Sequence, residues 1–327
     1  MVAYITGAIV IGVILLCGCV GEIITEKAGN LNLGIPGIMC MGAAGGWFGL
    51  SLYIKSLTNA GLKASNAQEF MVILIPIIFC FLFAALGGLI YAFLTVTLRA
   101  NQNVTGLALT TFGGGFAQFI INKLGKFSGG VALRKINNLF PFYSKDSGWF
   151  MQIFFSHEFI VYFAIIIAIV VAIVLRKTKV GLNLRAVGEN PATADAVGIN
   201  VAKYKYFAII IGSAIAGLGG WAYVCNQNLF SQYIDVERFG WLAIALVIFV
   251  TWKPDLGILG SILFGFFYLA ATWLPSLIEG MNRDVGILLK LLPYVVTVVV
   301  LIVTSILDSK ENQPPASLGL NYFREDR

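Results

Sequence analysis

Residues 70–98 read FMVILIPIIFCFLFAALGGLIYAFLTVTL, without a charged side chain from end to end. A bilayer core of about 30 Å takes about 20 helical residues to cross, and a backbone in lipid must satisfy its own hydrogen bonds. The stretch is therefore a transmembrane helix candidate. Eight more runs reach or approach the same standard: Tyr4 to Ile24, Ile35 to Ile54, Thr105 to Ile121, Phe159 to Leu175, Tyr206 to Cys225, Phe239 to Trp252, Leu256 to Leu274 and Ile287 to Leu307. They predict an all-α fold, a polytopic transmembrane helical bundle of about nine spans (range about eight to ten), as a single domain over residues 1–327. Phe239 to Trp252 is short, and Thr105 to Ile121 is interrupted by Gly113, Gly114 and Gly115, so either can be a broken or re-entrant segment.

The rest of the composition agrees. There are 22 basic and 16 acidic residues, and the charged fraction of 12% stands against roughly 25% in soluble domains. With 58% apolar residues, 36 glycines and a mean hydropathy of +0.87, the chain excludes disorder, a disulfide scaffold and a nucleic-acid binder. The net charge of +6 reads as loop charge at anionic headgroups. Cys17, Cys19, Cys40, Cys80 and Cys225 lie in or at the ends of apolar runs and read as buried small hydrophobes. In a helix Cys17 and Cys19 point to different faces, so no metal site is expected. The N-terminus has no basic segment before its first apolar run, which is too long for a cleaved signal and reads as a true span.

Basic residues in short loops set orientation. The segment 176–205 holds Arg176, Lys177, Lys179, Arg185, Lys203 and Lys205 against Glu189 and Asp195, and is assigned to the cytoplasm. Alternation of about nine spans then puts the N-terminus outside and the tail 308–327 in the cytoplasm. It also puts Lys123, Lys126, Arg134, Lys135 and Lys145 outside, in a loop, 122–158, whose Trp149 and neighbouring aromatics suit an interface-lying element or a docking surface. Lys290, behind Arg283 and Asp284, reads as snorkelling to the outer interface.

Small residues cluster at 42–46, 84–88 and 212–220, where close backbone approach between helices is expected. The segments 42–47 and 216–221 echo one another, each ending in Gly-Gly-Trp, which fits either a duplicated half or chance.

No phosphate loop of the Gly-x-x-x-x-Gly-Lys-Ser/Thr kind occurs, and the lone histidine, His157, cannot assemble a nucleophilic triad, so the chain is not expected to be an enzyme. The segment Glu189-Asn-Pro-Ala-Thr-Ala-Asp-Ala-Val-Gly198 instead reads as a short capped helix, with Asn190 as cap, Pro191 at the first helical position and Gly198 closing it. So short a helix is marginal alone in water, which favours a partner packed on it.

The stretch Gly181-Leu-Asn-Leu-Arg-Ala-Val-Gly-Glu-Asn-Pro-Ala-Thr-Ala-Asp-Ala-Val-Gly-Ile-Asn200 resembles the coupling loop of inner-membrane permeases of ATP-binding-cassette importers, in the group serving sugars, branched-chain amino acids and nucleosides. Gly21-Glu22 with Glu26, Gly29 and Asn32-Leu33-Gly34, and Asn101-Gln102-Asn103-Val104 with Gly106 to Leu109, are similar to further segments of that group. Residues 240–245 and the tail, Leu318-Gly319 with Tyr322 to Arg327, look most like its nucleoside branch. Pro36 and the run 101–104 depart from the group pattern by lacking a carboxylate.

The resemblance implies a non-catalytic permease, multi-pass in a bacterial cytoplasmic membrane. It binds no cofactor of its own, while ATP and magnesium serve a partner. It also implies cassette ATPase subunits, a second permease (a copy or a homologue) and an extracytoplasmic substrate-binding lipoprotein. Arg185, Glu189, Asn190, Pro191, Ala192, Ala194, Asp195 and Gly198 are then the ATPase-coupling residues. A nucleoside asks for ring faces with amide or hydroxyl partners. Asn32, Trp47, Phe48, Asn103, Thr105, Thr110 and Gln118, with Thr111, are the substrate-path candidates, each equally able to bond a neighbouring helix. Glu22 and Glu26 share a helix face and are expected to pair with basic loop residues such as Arg185, the alternative being hydrated carboxylates. Rivals are a permease for another neutral solute of the group, an ion-coupled carrier, and a membrane scaffold. The carrier needs ionisable residues at mid-membrane, which are scarce here.

Overall fold

The uncharged stretch beginning at Phe70 folds as one helix, α3 (Glu69–Ala92), and runs on into a π turn at Phe93–Thr97. Leu74, Ile78, Leu82, Leu86, Leu89 and Phe93 form an exposed stripe along it, while Cys80, Ala84, Gly87, Gly88 and Tyr91 are buried. Apolar on every side, with mostly small side chains turned inward beside Tyr91, α3 is a helix that faces lipid.

The computed structural model describes residues 2–125, 127–134, 148–277, 283–307 and 313–323. Among these there is no strand. The long helices are α1 (Val2–Lys27), α2 (Ile35–Asn59), α3, α4 (Gln102–Leu124), α7 (Phe159–Lys177), α10 (Val201–Gln227) and α12 (Pro254–Leu277). Short helices α5 (Gly129–Leu133), α6 (Trp149–Phe155), α8 (Lys179–Glu189) and α9 (Pro191–Ala196) lie between them and α13 (Arg283–Leu289) follows the last, with α11 (Ile234–Phe249) and α14 (Leu292–Leu307) of middle length.

Among the described residues seven helical stretches are long and apolar enough to cross a membrane: Val2–Lys27, Ile35–Asn59, Glu69–Thr97, Gln102–Leu124, Phe159–Lys177, Val201–Gln227 and Pro254–Ala271. The chain is thus a multi-pass membrane protein, with seven such stretches by length where about nine were expected from the apolar runs. The difference lies in two places. The run from Ile287 to Leu307 is split by a turn at Lys290–Leu291, with Pro293 at the second position of α14, where a missing N–H does no harm. The run from Phe239 to Trp252 forms α11, which starts at Ile234 and ends at Phe249, before Thr251 and Trp252 with positive φ and the proline that opens α12. The glycines at 113–115, by contrast, do not interrupt α4, which is continuous.

Three helices, α1, α2 and α10, make the centre and are buried along most of their length. Their small residues are the contact points. A Cβ on Gly42 would sit 2.5 Å from the Cα of Gly217, and one on Gly21 would overlap the carbonyl of Gly212. Without a hydrophobic drive between helices in lipid, such backbone-to-backbone approach supplies the dispersion contact. The two echoed segments meet here, Gly42 on Gly217 and Gly46 against the Trp221 ring. All five cysteines are unpaired and buried.

One end of the bundle carries α8 and α9 together with the turns 28–34 and 98–101 and the tail 313–323, and is called the loop end below. The far end carries α5 and α6. Trp149, Phe150 and Phe154 of α6 are exposed, as an interface-lying element requires. His157 is buried with its ring against the Ile153 carbonyl, Nε2 to O 2.9 Å. Lys290 is exposed. Lys126, Lys135 and Lys145, and the ends of the tail at 308–312 and 324–327, lie outside the described residues.

Candidate functional site

The expected short helix is present as α9, and its caps are the ones its sequence announces. Asn190 Oδ1 accepts from Thr193 N at 2.9 Å, Pro191 opens the helix, and Gly198, at φ +86°, closes it. Ile199 N reaches back to Ala194 O at 3.0 Å. Before it stands α8, capped by Thr178 Oγ1 accepting from Gly181 N at 3.2 Å. Gly188 of α8 sits where a Cβ would overlap the Lys27 carbonyl at the end of α1. Ala194, buried, packs with Val187 and Val201 in a small apolar cluster separate from the main core, with Tyr204 and Tyr322 at its edge. Asn183 Nδ2 donates to Tyr204 Oη at 2.8 Å, fixing α8 to the first turns of α10.

The tail clasps this assembly. Ser317 N and Oγ both donate to Gly188 O, Ala316 N donates to Glu189 Oε2 at 3.3 Å, and Tyr322 Oη donates to Asp195 Oδ2 at 2.9 Å. Asn321 Nδ2 donates to Arg99 O at 2.6 Å, and Gln102 joins the tail to the first inter-helix turn, its Oε1 accepting from Leu31 N at 2.7 Å. Arg185, Glu189, Asn190 and Gly198 are exposed, Pro191, Ala192 and Asp195 half-buried, and Ala194 faces inward. Val197, 72% exposed, is the large apolar side chain at the tip. Sequence reading passed it over because a single exposed valine beside a glycine carries no pattern.

Glu22 and Glu26 do not pair with Arg185 among the described residues. Both are buried, Glu22 Oε1 accepting from Asn32 N at 2.9 Å and Glu26 Oε2 from the Trp252 indole. The positive φ of Trp252 delivers that indole, joining the end of α11 to α1. The Glu22 carboxylate thus holds the turn 28–34, and that of Glu26 ties α1 to the end of α11.

Of the substrate-path candidates, Asn32 and Thr110 come together at that turn. Asn32 is fully buried, with Oδ1 accepting from Gly34 N at 2.9 Å, and Thr110 Oγ1 donates to Leu33 O at 2.8 Å. Thr105 is buried nearby in the first turn of α4, where Asn103 is exposed. The others stand apart. Trp47 stacks obliquely on Phe127, centroids 4.6 Å apart, and Phe48 packs on Phe79 and Phe83. Gln118 donates to Asn122 Oδ1 at 2.9 Å, and Thr111 to the Leu107 carbonyl. Ring faces and polar groups do converge elsewhere, in a cleft of about 590 Å³ at the far end that touches α1, α10, α11 and α12. Tyr223, Phe239 and Tyr268 line it with Asp235, Asn226 and His157, and Tyr223 Oη donates to Asp235 Oδ2 at 3.0 Å.

Comparison with known proteins adds to this geometry. The family described as "Branched-chain amino acid transport system / permease component" matches residues 3–305. A nucleoside ABC transporter permease protein of Lactococcus lactis subsp. cremoris is 30% identical over 310 residues, 93% of this chain and 92% of that one. A guanosine ABC transporter permease protein of Bacillus subtilis is 29% identical over 299 residues, 88% and 87% of the two chains. A Haloferax volcanii ABC transporter permease protein, provisionally named for glucose, is 31% identical over 261 residues, 77% and 71%. No solved structure matches.

Proposed function

This chain belongs to the permease-component family of branched-chain amino acid transport systems, and on that premise we propose that it is the membrane-spanning subunit of an ATP-binding-cassette importer for nucleosides. The observation that carries the solute is the near full-length similarity to two permeases named for nucleosides and guanosine. In this reading the chain crosses the bacterial cytoplasmic membrane about nine times, α11 and α14 being the short crossings, with the loop end in the cytoplasm. ATP is hydrolysed on two partner cassette subunits; the chain itself is non-catalytic and holds no cofactor. A second permease, copy or homologue, and an extracytoplasmic substrate-binding lipoprotein complete the complex.

The mechanism follows from the connections of α9. A partner ATPase grips its exposed caps, Asn190 and Gly198, with Val197 between them and Arg185 and Glu189 at the rim. The Asn183 to Tyr204 bond and the tail clasp make α8, α9 and the base of α10 one stiff unit, so a push on α9 is delivered to α7 and α10. The substrate path runs between outward and inward access across the bundle. The far-end cleft, with its tyrosine rings and amide groups, offers a neutral base and ribose the contacts they need at the outer mouth.

A second reading, a sugar or branched-chain amino acid as solute, draws on the Haloferax relative and on the family's description. Uptake into vesicles carrying the assembled complex decides. Labelled nucleosides are expected to accumulate only with internal ATP, and removal of residues 190–198 is expected to abolish uptake while the protein stays in the membrane. Uptake that survives without ATP and collapses with an ion gradient overturns the reading. So does a complex that moves only sugars or amino acids, for the solute alone.

A further inference from the structure

Lysine is almost never buried without a partner, because taking an isolated ammonium out of water is costly. Lys205, in the second turn of α10, is 4% exposed. Among the described residues no carboxylate or hydrogen-bond acceptor meets its ammonium. Lys203, two residues earlier, is ordinary by contrast: exposed, with its ammonium 6.0 Å from the centre of the Phe207 ring.

Lys205 lines a cleft of about 400 Å³ at the loop end. One wall is the first turn of α10 with its cap, where Asn200 Oδ1 accepts from Lys203 N at 2.9 Å. A helix of this length carries about half a positive charge at that end and presents unsatisfied N–H groups there. Another wall is Arg99, at φ +56° beyond the π turn of α3, its guanidinium 4.6 Å from the centre of the Phe323 ring. The tail closes the cleft with Asn321 and Tyr322. Among the described residues one carboxylate, Asp195, lines the cleft, and it accepts the Tyr322 hydroxyl. The local field is therefore positive, and the buried cation is the group an incoming ligand would complete.

We propose that this cleft is an anion site in which Lys205 and the N-terminal turn of α10 hold a phosphate group, borne either by a free phosphate or by the headgroup of an anionic lipid. The site goes beyond the transport reading and does not depend on which solute is carried. A ligand there touches the π turn that follows α3, α9, α10 and the tail together, so its occupancy tightens the clasp around the coupling helix.

The test uses the full chain, purified in detergent, titrated with inorganic phosphate by calorimetry. In a second arm it is reconstituted in discs of phosphatidylcholine with or without phosphatidylglycerol, and retained lipid is counted by native mass spectrometry. Phosphate binding, or selective retention of phosphatidylglycerol, is expected, and which of the two occurs names the source. Lys205→Gln is expected to weaken that binding at least roughly tenfold, the loss of one charge-assisted bond. Lys205→Arg is expected to restore it and Lys203→Gln to leave it within about twofold, each checked for a monodisperse elution profile. Absence of both ligands from the unaltered chain, or undiminished binding in Lys205→Gln, overturns the proposal. Neither outcome bears on ATP-driven uptake, so the two readings fail separately.

Discussion

Glu158 brings a carboxyl group into an apolar corner at the far end, beside Ile73, Ile77, Ile160, Trp221 and Cys225. Burial pushes it from an ordinary 4.5 up to about 7. A carboxyl raised in the folded state gives stability that is present below its unfolded value and lost as pH rises through the folded one. His157 next to it is shifted downward by burial and works the other way, but only at and below about pH 6.5. The Glu158 contribution is therefore lost mainly between about pH 4.5 and about pH 7. Comparison with Glu158→Gln isolates it: the melting temperature of the detergent-solubilised protein relative to that of the variant is expected to fall as pH rises across that window, as followed by intrinsic fluorescence, and a constant difference counts against it. At this scale the sequence was legible wherever a residue's role is local. Asn190, Pro191 and Gly198 could be read because capping needs only neighbours in the chain. Asn32 and Glu22 could not, because their partners are set by how a turn folds back on a helix, and polarity at membrane depth says nothing about which face it occupies.

Helix α9 was foreseen and α8 was not. The pattern of α8, with glycines at 181 and 188 and polar residues between apolar ones, has no run long enough to stand out, and its order comes from contact with α1, α7 and the tail. The tail's docking left no trace in the sequence either, since Ser317, Asn321 and Tyr322 act one by one on distant backbone groups. The clasp yields a prediction for these elements. Each bond to a neutral partner contributes about 1 kcal/mol, and one to a carboxylate about 1.5–3 kcal/mol. The double variant Ser317→Ala, Tyr322→Phe is therefore expected to speed amide hydrogen exchange over residues 190–198 by at least roughly tenfold. Exchange in α2 should not change, and an unchanged rate in α9 counts against the clasp.

For the molecule as a whole, the apolar runs gave the class and the places of the spans, because length and charge decide membrane insertion without knowledge of neighbours. The two runs whose helices fall short of spanning length are the one broken by a turn at Lys290–Leu291 and the one in α11, which begins among charged residues that hydropathy discounts. The tail bonds to α8 and α9, so both must stand on one side of the membrane. A reporter fused after Arg327 is expected to be active only as a cytoplasmic fusion, and the same reporter at the N-terminus only as an external one. Opposite signals from either fusion reject the arrangement.

The position of α1 at the centre also constrains how the protein is made. Its covering surfaces are α10, α11 and α12, which are synthesised some two hundred residues later. From its release by the ribosome until those segments arrive, the first helix must wait in the bilayer with Glu26 lacking the Trp252 indole that is its final companion. Biogenesis therefore calls for an insertase or another temporary shelter to hold this helix, and chains cut short before Val201 should be cleared by membrane proteases instead of accumulating.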